Sequence, residues 1–481
     1  MKTESKQANH FGFWTLTFLV VANMIGGGVF STSGFTMGDL HSPGYVVLAW
    51  LVAGLIAIAG AISYGQLIRV MPESGGEYVF LSRAYHPMFG FVAGWVSMFA
   101  GFTGAIAYAA SLFETYAVPA DLRAQIGLPD DFVAIGVVVV AAIFHGIKIK
   151  AGVIGQNLAV ILKLLLLVLF LGFALFRLGS VEAVNDLEPL AAGDFGVAFC
   201  KSLMWISLSY MGFNAAVYVA EEAGDAKSKI PKALLTGTSI VVVFYVLLNA
   251  VFVYSADASK VAESGPAVAA FAAQQLGGAT FAIFFQVIIS IALFTSVTSM
   301  MMAAPRVYAK MADDGMLPAI FSFQKNAPQY AMLLQVALAV VIICWSTLES
   351  LLGYLGITLS ICAAASVSSL FLPKYRNGES VFSLPMIAPA LYVGSTIFIV
   401  IMICQYREIA QLYAAIATFV VGVIFYGMKE RVSAFAQHSR AKKLFANSSN
   451  DLAAVVYIML IASFLSGIGF LFLLNQFLFG S

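Results

Sequence analysis

Charge is scarce in this chain. Lys, Arg, Asp and Glu together make up 10% of 481 residues, against about a quarter in a soluble globular domain, and the mean hydropathy is +0.93. A soluble fold is therefore excluded. The formal net charge is only +1, and without a basic face a nucleic-acid partner is not expected. The four cysteines (Cys200, Cys344, Cys362, Cys404) sit in or beside apolar runs with no paired spacing. That excludes a zinc site or a disulfide framework and leaves them as small packing residues. None of the five histidines forms a helical i, i+4 pair, and neither H-E-x-x-H nor G-x-S-x-G occurs. An enzyme is thus not expected, nor a metal or cofactor. The phosphate-binding G-x-x-x-x-G-K-[ST] loop is also missing, which disfavours an ATP-driven pump.

What the chain does have is long apolar runs. A spanning helix needs roughly 20 apolar residues, and about thirteen such segments are centred near residues 25, 56, 102, 138, 167, 208, 243, 293, 339, 361, 395, 418 and 465. Their continuity excludes an outer-membrane barrel, whose strands would alternate apolar and polar over about ten residues. The sequence predicts an all-α integral membrane protein. No small-residue cleavage site follows the N-terminal stretch, so the first segment is expected to stay in the membrane. Basic residues divide about nineteen to about five between the two sets of loops, which predicts a cytoplasmic N-terminus in the cell's inner membrane. The expected layout is a cytoplasmic N-terminus over 1–13 and a first five-helix half over 14–178. A second, inverted half follows over 198–373, then helices 11 and 12 over 384–428. A basic linker over 429–450 leads to an extra helix over 451–481.

The first segment carries its own breaker, "NMIGGGVFS" at Asn23 to Ser31, and the sixth carries "SLSYMGFNAAVYVAEEAGD" with Gly212 near its middle. Interrupted segments at matching places in two halves point to a midplane binding site. Lipid cannot satisfy the freed backbone groups, so unwound chain survives only where it is buried in protein or lines a cavity. Backbone N–H groups at the start of a half-helix suit a carboxylate, and the carbonyls ending the preceding half suit an ammonium. An α-amino acid carries both. Close packing of small residues is the competing explanation for the glycines, and the matched break in segment 6 favours the site.

Lys163 lies roughly 15 Å from the nearer end of segment 5, where an unpaired charge costs at least about 2.5 kcal/mol. It is expected to face the bundle, held by carbonyls of the broken segment 1 and by hydroxyls of Ser296 and Ser299, which share a helical face. Tyr210 and Phe213 flank Gly212 as pocket walls or as packing aromatics.

Four stretches carry a family resemblance over about residues 12 to 428. They are "NMIGGGVFS", "MPESGGEYVFLSRAYHPMFGFVAGW", "YMGFNAAVYVAEEAGDAKSKIPKAL" and "PRVYAKMADDGMLP". In this order they resemble the amino acid–polyamine–organocation transporters, and within them bacterial relatives of the L-amino acid exchangers. The resemblance implies two inverted five-helix repeats and an amino acid bound between segments 1 and 6. Gly26, Gly27 and Gly28 would give N–H groups to its carboxylate. Asn23 to Ile25 and Leu208 to Met211 would give carbonyls to its amine, with Asn214 contacting substrate or bracing segments. Lys163 matches the family's fifth-helix lysine, which implies sodium-independent transport by exchange or with protons. Leu208 stands where several relatives carry an aromatic gate, which implies either a looser occlusion or one made by Phe213 or Tyr210. No cysteine lies in Val118 to Phe132, so a disulfide-linked heavy chain is not expected. Small residues at Ala215 and Ala216 lean toward neutral amino acids; a polyamine or cationic amino acid is the alternative.

Overall fold

A backbone immersed in lipid must satisfy its own hydrogen bonds, so long apolar runs become helices. The computed structural model describes residues 11–146, 149–191, 193–323, 328–345, 348–376, 380, 383–406 and 409–437. Among them the regular elements are all helices. In chain order they are α1 (Phe13–Met24), α2 (Gly28–Leu40), α3 (Pro43–Val70), α4 (Glu77–Ala84), α5 (Pro87–Val96), α6 (Ala105–Ala117), α7 (Ala120–Ile126) and α8 (Phe132–Gly146). Then come α9 (Ile149–Leu178), α10 (Phe195–Ser209), α11 (Ala226–Val253), α12 (Ala258–Glu263), α13 (Val268–Asp313), α14 (Gln329–Trp345), α15 (Leu348–Ser368), α16 (Leu384–Tyr406) and α17 (Ile409–Gln437).

Six described spans are long and apolar enough to cross a membrane, and α1 with α2 forms one further span bent by 43°. Four more apolar stretches are shorter, at Phe132–Gly146, Phe195–Ser209, Gln329–Trp345 and Thr358–Phe371. The second of these is short because the chain unwinds directly after Ser209. α17 runs past the expected end of the twelfth segment to Gln437. The rest of the basic linker and the extra segment over 451–481 lie outside the described residues.

Two sorts of helix face build the bundle. On α9, Leu158, Leu162, Leu165, Leu169 and Phe176 are exposed, whereas Val160, Lys163, Leu167, Phe170 and Ala174 are fully buried. Helical periodicity thus turns the leucine stripe toward the surrounding medium and Lys163 inward. The α3–α11 pair is close because small residues let the backbones approach. A Cβ on Gly54 would come within 2.8 Å of Val242, and one on Gly65 within 3.0 Å of Pro231.

Between α5 and α6 the helix widens into a π-helical stretch, Ser97–Gly104. The Thr103 hydroxyl donates to the Met98 carbonyl five residues back. Such widenings recur at functional sites, and Ser97, Gly101 and Phe102 of this one line the central cavity.

One end of the bundle is rich in basic residues and is tied by ion pairs. Arg83 bonds Glu73 at 2.9 Å and Asp314 at 3.0 Å, and Lys310 bonds Glu73 at 3.2 Å and Glu221 at 3.1 Å. Deeper in, the buried Arg306 guanidinium pairs with the buried Glu222 carboxylate and lies over the Phe11 ring. Glu221 and Glu222 therefore anchor the chain leaving α10 to α13 and to the loop before α4.

Candidate substrate site

The breaks arise from glycine. α1 ends at Met24 and α2 restarts at Gly28. α10 ends at Ser209, and the chain turns through Gly212 at φ +96° before a 3-10 stretch, Ala215–Glu222. Only glycine takes such a φ without strain. The two breaks touch: a Cβ on Gly212 would lie 3.0 Å from both the carbonyl carbon and oxygen of Asn23. Thr32 and Ser209 join hydroxyls across the same contact at 3.1 Å.

A cavity of about 200 Å³ lies against both breaks. Asn23, Gly26, Gly27 and Gly28 line one wall, and Leu208, Met211, Phe213 and Asn214 line another. The amides of Gly27 and Gly28 have no acceptor among the described residues, nor do the carbonyls of Asn23, Tyr210 and Met211 have a donor. Free donors therefore open α2, while free acceptors end α1 and fill the α10 break. Ser296 of α13 also lines the cavity, close to Gly26.

Four expectations need correction. The Gly26 amide is not free, because the sharp bend turns it onto the Met24 carbonyl at 2.8 Å. Ile25 is fully buried and its carbonyl faces Lys163 at 3.5 Å, so it offers nothing to the cavity. Lys163 takes its hydroxyl from Thr295 at 2.8 Å, not from Ser296 or Ser299. On α13 it is the Thr295 face that meets α9; Ser299 bonds back to the Ser296 carbonyl at 2.9 Å. Tyr210 is no wall either: its phenol donates to the Trp50 carbonyl of α3 at 3.0 Å, packing the helix pair. Of the two roles open for Asn214, bracing has its bonds here, the amide donating to Glu77 at 2.6 Å and to the Tyr218 phenol at 2.9 Å, while the residue also lines the cavity.

Sequence reasoning missed several participants. Trp205, one turn before Leu208, lines the cavity and stacks on Phe35 with ring centroids 5.6 Å apart. Tyr245 of α11 shares its single O–H between the Met24 carbonyl at 2.5 Å and the Ser209 carbonyl at 3.0 Å. It thereby pins the last carbonyls of both broken half-helices. Glu77 and Tyr218 line the cavity toward the basic end. Their only sequence signals are a carboxylate opening α4 and a tyrosine four residues beyond Asn214.

Comparison with known proteins fits this geometry. The family model described as "Amino acid permease" matches residues 11–477. The chain belongs to the amino acid permease family. Its relatives include the serine/threonine exchanger SteT of Bacillus subtilis (strain 168), 25% identical over 431 residues, 86% of the permease and 95% of the relative. The cystine/glutamate transporter of Homo sapiens is 22% identical over 392 residues, covering 79% and 77%. The b(0,+)-type amino acid transporter 1 of Mus musculus is 21% identical over 442 residues, covering 89% and 88%. The chain is accordingly a multi-pass membrane transporter of amino acids and not an enzyme.

At the basic end, Arg83 holds the Glu73 carboxyl below the usual carboxylate range, chiefly through their hydrogen bond. The same pairing raises Arg83.

Proposed function

We propose that the cavity between the two breaks binds the part common to all α-amino acids, and that the chain carries neutral amino acids by alternating access across the inner membrane. The observation that carries this reading is the juxtaposition, along the cavity, of the free Gly27 and Gly28 amides with the free carbonyls of Asn23 and Met211. The amides at the N-terminus of α2 receive the carboxylate, and the carbonyls receive the ammonium. Besides Glu77 and Tyr218 toward the basic end, the walls from the π-helical stretch, Trp205 and Phe213 are mostly apolar or small, which suits an uncharged side chain.

Segments 1–5 and 6–10 are read as inverted repeats, supported by the two touching breaks and by the close pairing of α3 with α11, the helices that follow them. The basic end is read as cytoplasmic from the positive-inside bias. Lys163 places its amine between the end of α1 and α13. A lysine side chain there supports sodium-independent transport, by exchange or with protons.

The test is counterflow in proteoliposomes loaded with each of the twenty amino acids. Small and medium neutral amino acids should exchange, with rates unaltered when choline replaces sodium. Exchange limited to polyamines, or a strict sodium requirement, would overturn the reading.

A further inference from the structure

Glu77 opens α4, is only 5% exposed, and borders the cavity toward the basic end. Its Oε1 accepts from the Tyr64 phenol at 2.6 Å and from the Asn214 amide at 2.6 Å, and its Oε2 accepts from the Tyr218 phenol at 2.7 Å. None of these partners is a cation. The titratable groups that face it are Tyr64 from α3, Tyr218 from the 3-10 stretch, Tyr392 from α16 and Cys362 from α15. The charges at the basic end, Glu73, Arg83, Asp314, Lys310 and Glu221, pair with one another.

A buried carboxylate without a counter-cation among the described residues is costly while ionised, which marks Glu77 as a place where charge is exchanged. A proton fits better here than a ligand ammonium. The carboxylate has about four acceptor positions, three of them taken, so an ammonium with three donors finds one. A proton needs only one position, and phenols can donate to a carboxylate or accept from a carboxyl O–H. The hydrogen-bond shell therefore serves both charge states.

The same shell joins parts that must separate. Asn214 and Tyr218 belong to the unwound chain after α10, whereas Tyr64 and Glu77 belong to α3 and α4. Hydrogen bonds to an ionised group are roughly twice as strong as neutral ones, so the anion clamps the unwound chain and the neutral acid frees it.

We propose that Glu77 is a proton-binding site of the transport cycle: a proton taken up on its carboxylate releases the chain after Gly212 from α3 and α4, and loss of that proton to the other side restores the clamp. The inference rests on the transport reading above.

The test uses purified full-length protein in proteoliposomes, with a neutral substrate identified by counterflow and a pH-sensitive dye inside. A gradient of one pH unit should support up to about tenfold accumulation at one proton per substrate, with matching proton movement. E77Q should lose this pH-driven accumulation at least about tenfold more than it loses exchange. Tyr64→Phe, which removes a donor to the anion, should move the pH profile of uptake to the alkaline side, and Glu77→Asp should restore coupling in part. If E77Q fails to fold, the last two variants carry the test. Accumulation by E77Q equal to wild type overturns the proposal. So does a wild type that exchanges without moving protons, or an E77Q effect confined to lysine, ornithine or putrescine. A wild type that exchanges no amino acid at all overturns the transport reading itself.

Discussion

Gly212 rests on the carbonyl of Asn23, so the two broken helices meet at a place where only a hydrogen atom fits. Its φ of +96° adds a second reason for glycine. Gly212→Ala therefore meets both a steric and a conformational penalty, each of order 1–3 kcal/mol. Thermal unfolding in detergent should show a clear loss of Tm, and transport should fall with it. Gly26→Ala makes the contrast: its nearest neighbour would be the Ser296 hydroxyl at 3.4 Å. That variant should fold normally and lose affinity for substrate. Equal Tm losses in the two would contradict the tight contact.

Lys163 discriminates between the hydroxyls of α13. Thr295→Val takes the hydroxyl partner from the buried Lys163 amine, about 1–3 kcal/mol, whereas Ser299→Ala removes only a bond to its own helix. Transport and Tm should fall in the first and stay near wild type in the second. The reverse order would restore the pairing expected from sequence.

The Arg306–Glu222 pair is buried on both sides. Arg306→Gln strands a carboxylate away from water and should cost about 3–5 kcal/mol, whereas replacing both partners by methionine should cost far less. A double-mutant cycle on thermal stability reads this directly; additive losses would mean the two side chains do not interact.

The depressed Glu73 carboxyl sets a pH window. Its stabilising contribution is fully present above the ordinary glutamate range near pH 4.3 and is lost as pH falls through the lowered value. Wild type should lose Tm more steeply than Glu73→Gln on acidification below about pH 4.3, and the two should run parallel above it. Parallel curves throughout would mean that Arg83 does not hold this carboxylate.

Much of the site was readable from sequence because glycine runs and a mid-bilayer lysine have few explanations in lipid. The breaks at Gly26 to Gly28 and at Gly212 both line or adjoin the cavity, and Lys163 faces inward. The sequence misjudged which groups were free. Gly26 turns onto Met24, Ile25 onto Lys163 and Tyr210 onto Trp50, and each partner is set by a bend or a neighbouring helix that linear spacing does not contain. The π-helical widening over Ser97–Gly104 left no signal either, since its residues are ordinary for an α-helix.

By itself the sequence determined that the chain is helical and membrane-embedded, because long apolar runs allow no other spanning form, and that two segments break. Tertiary structure alone decided that the breaks touch. It also decided that Thr295 rather than Ser296 meets Lys163, and that Glu77 gathers Tyr64, Asn214 and Tyr218 from elements as many as 141 residues apart. Periodicity fixes which face of a helix is buried, whereas the rotation and depth of one helix against another depend on packing among residues distant in the chain.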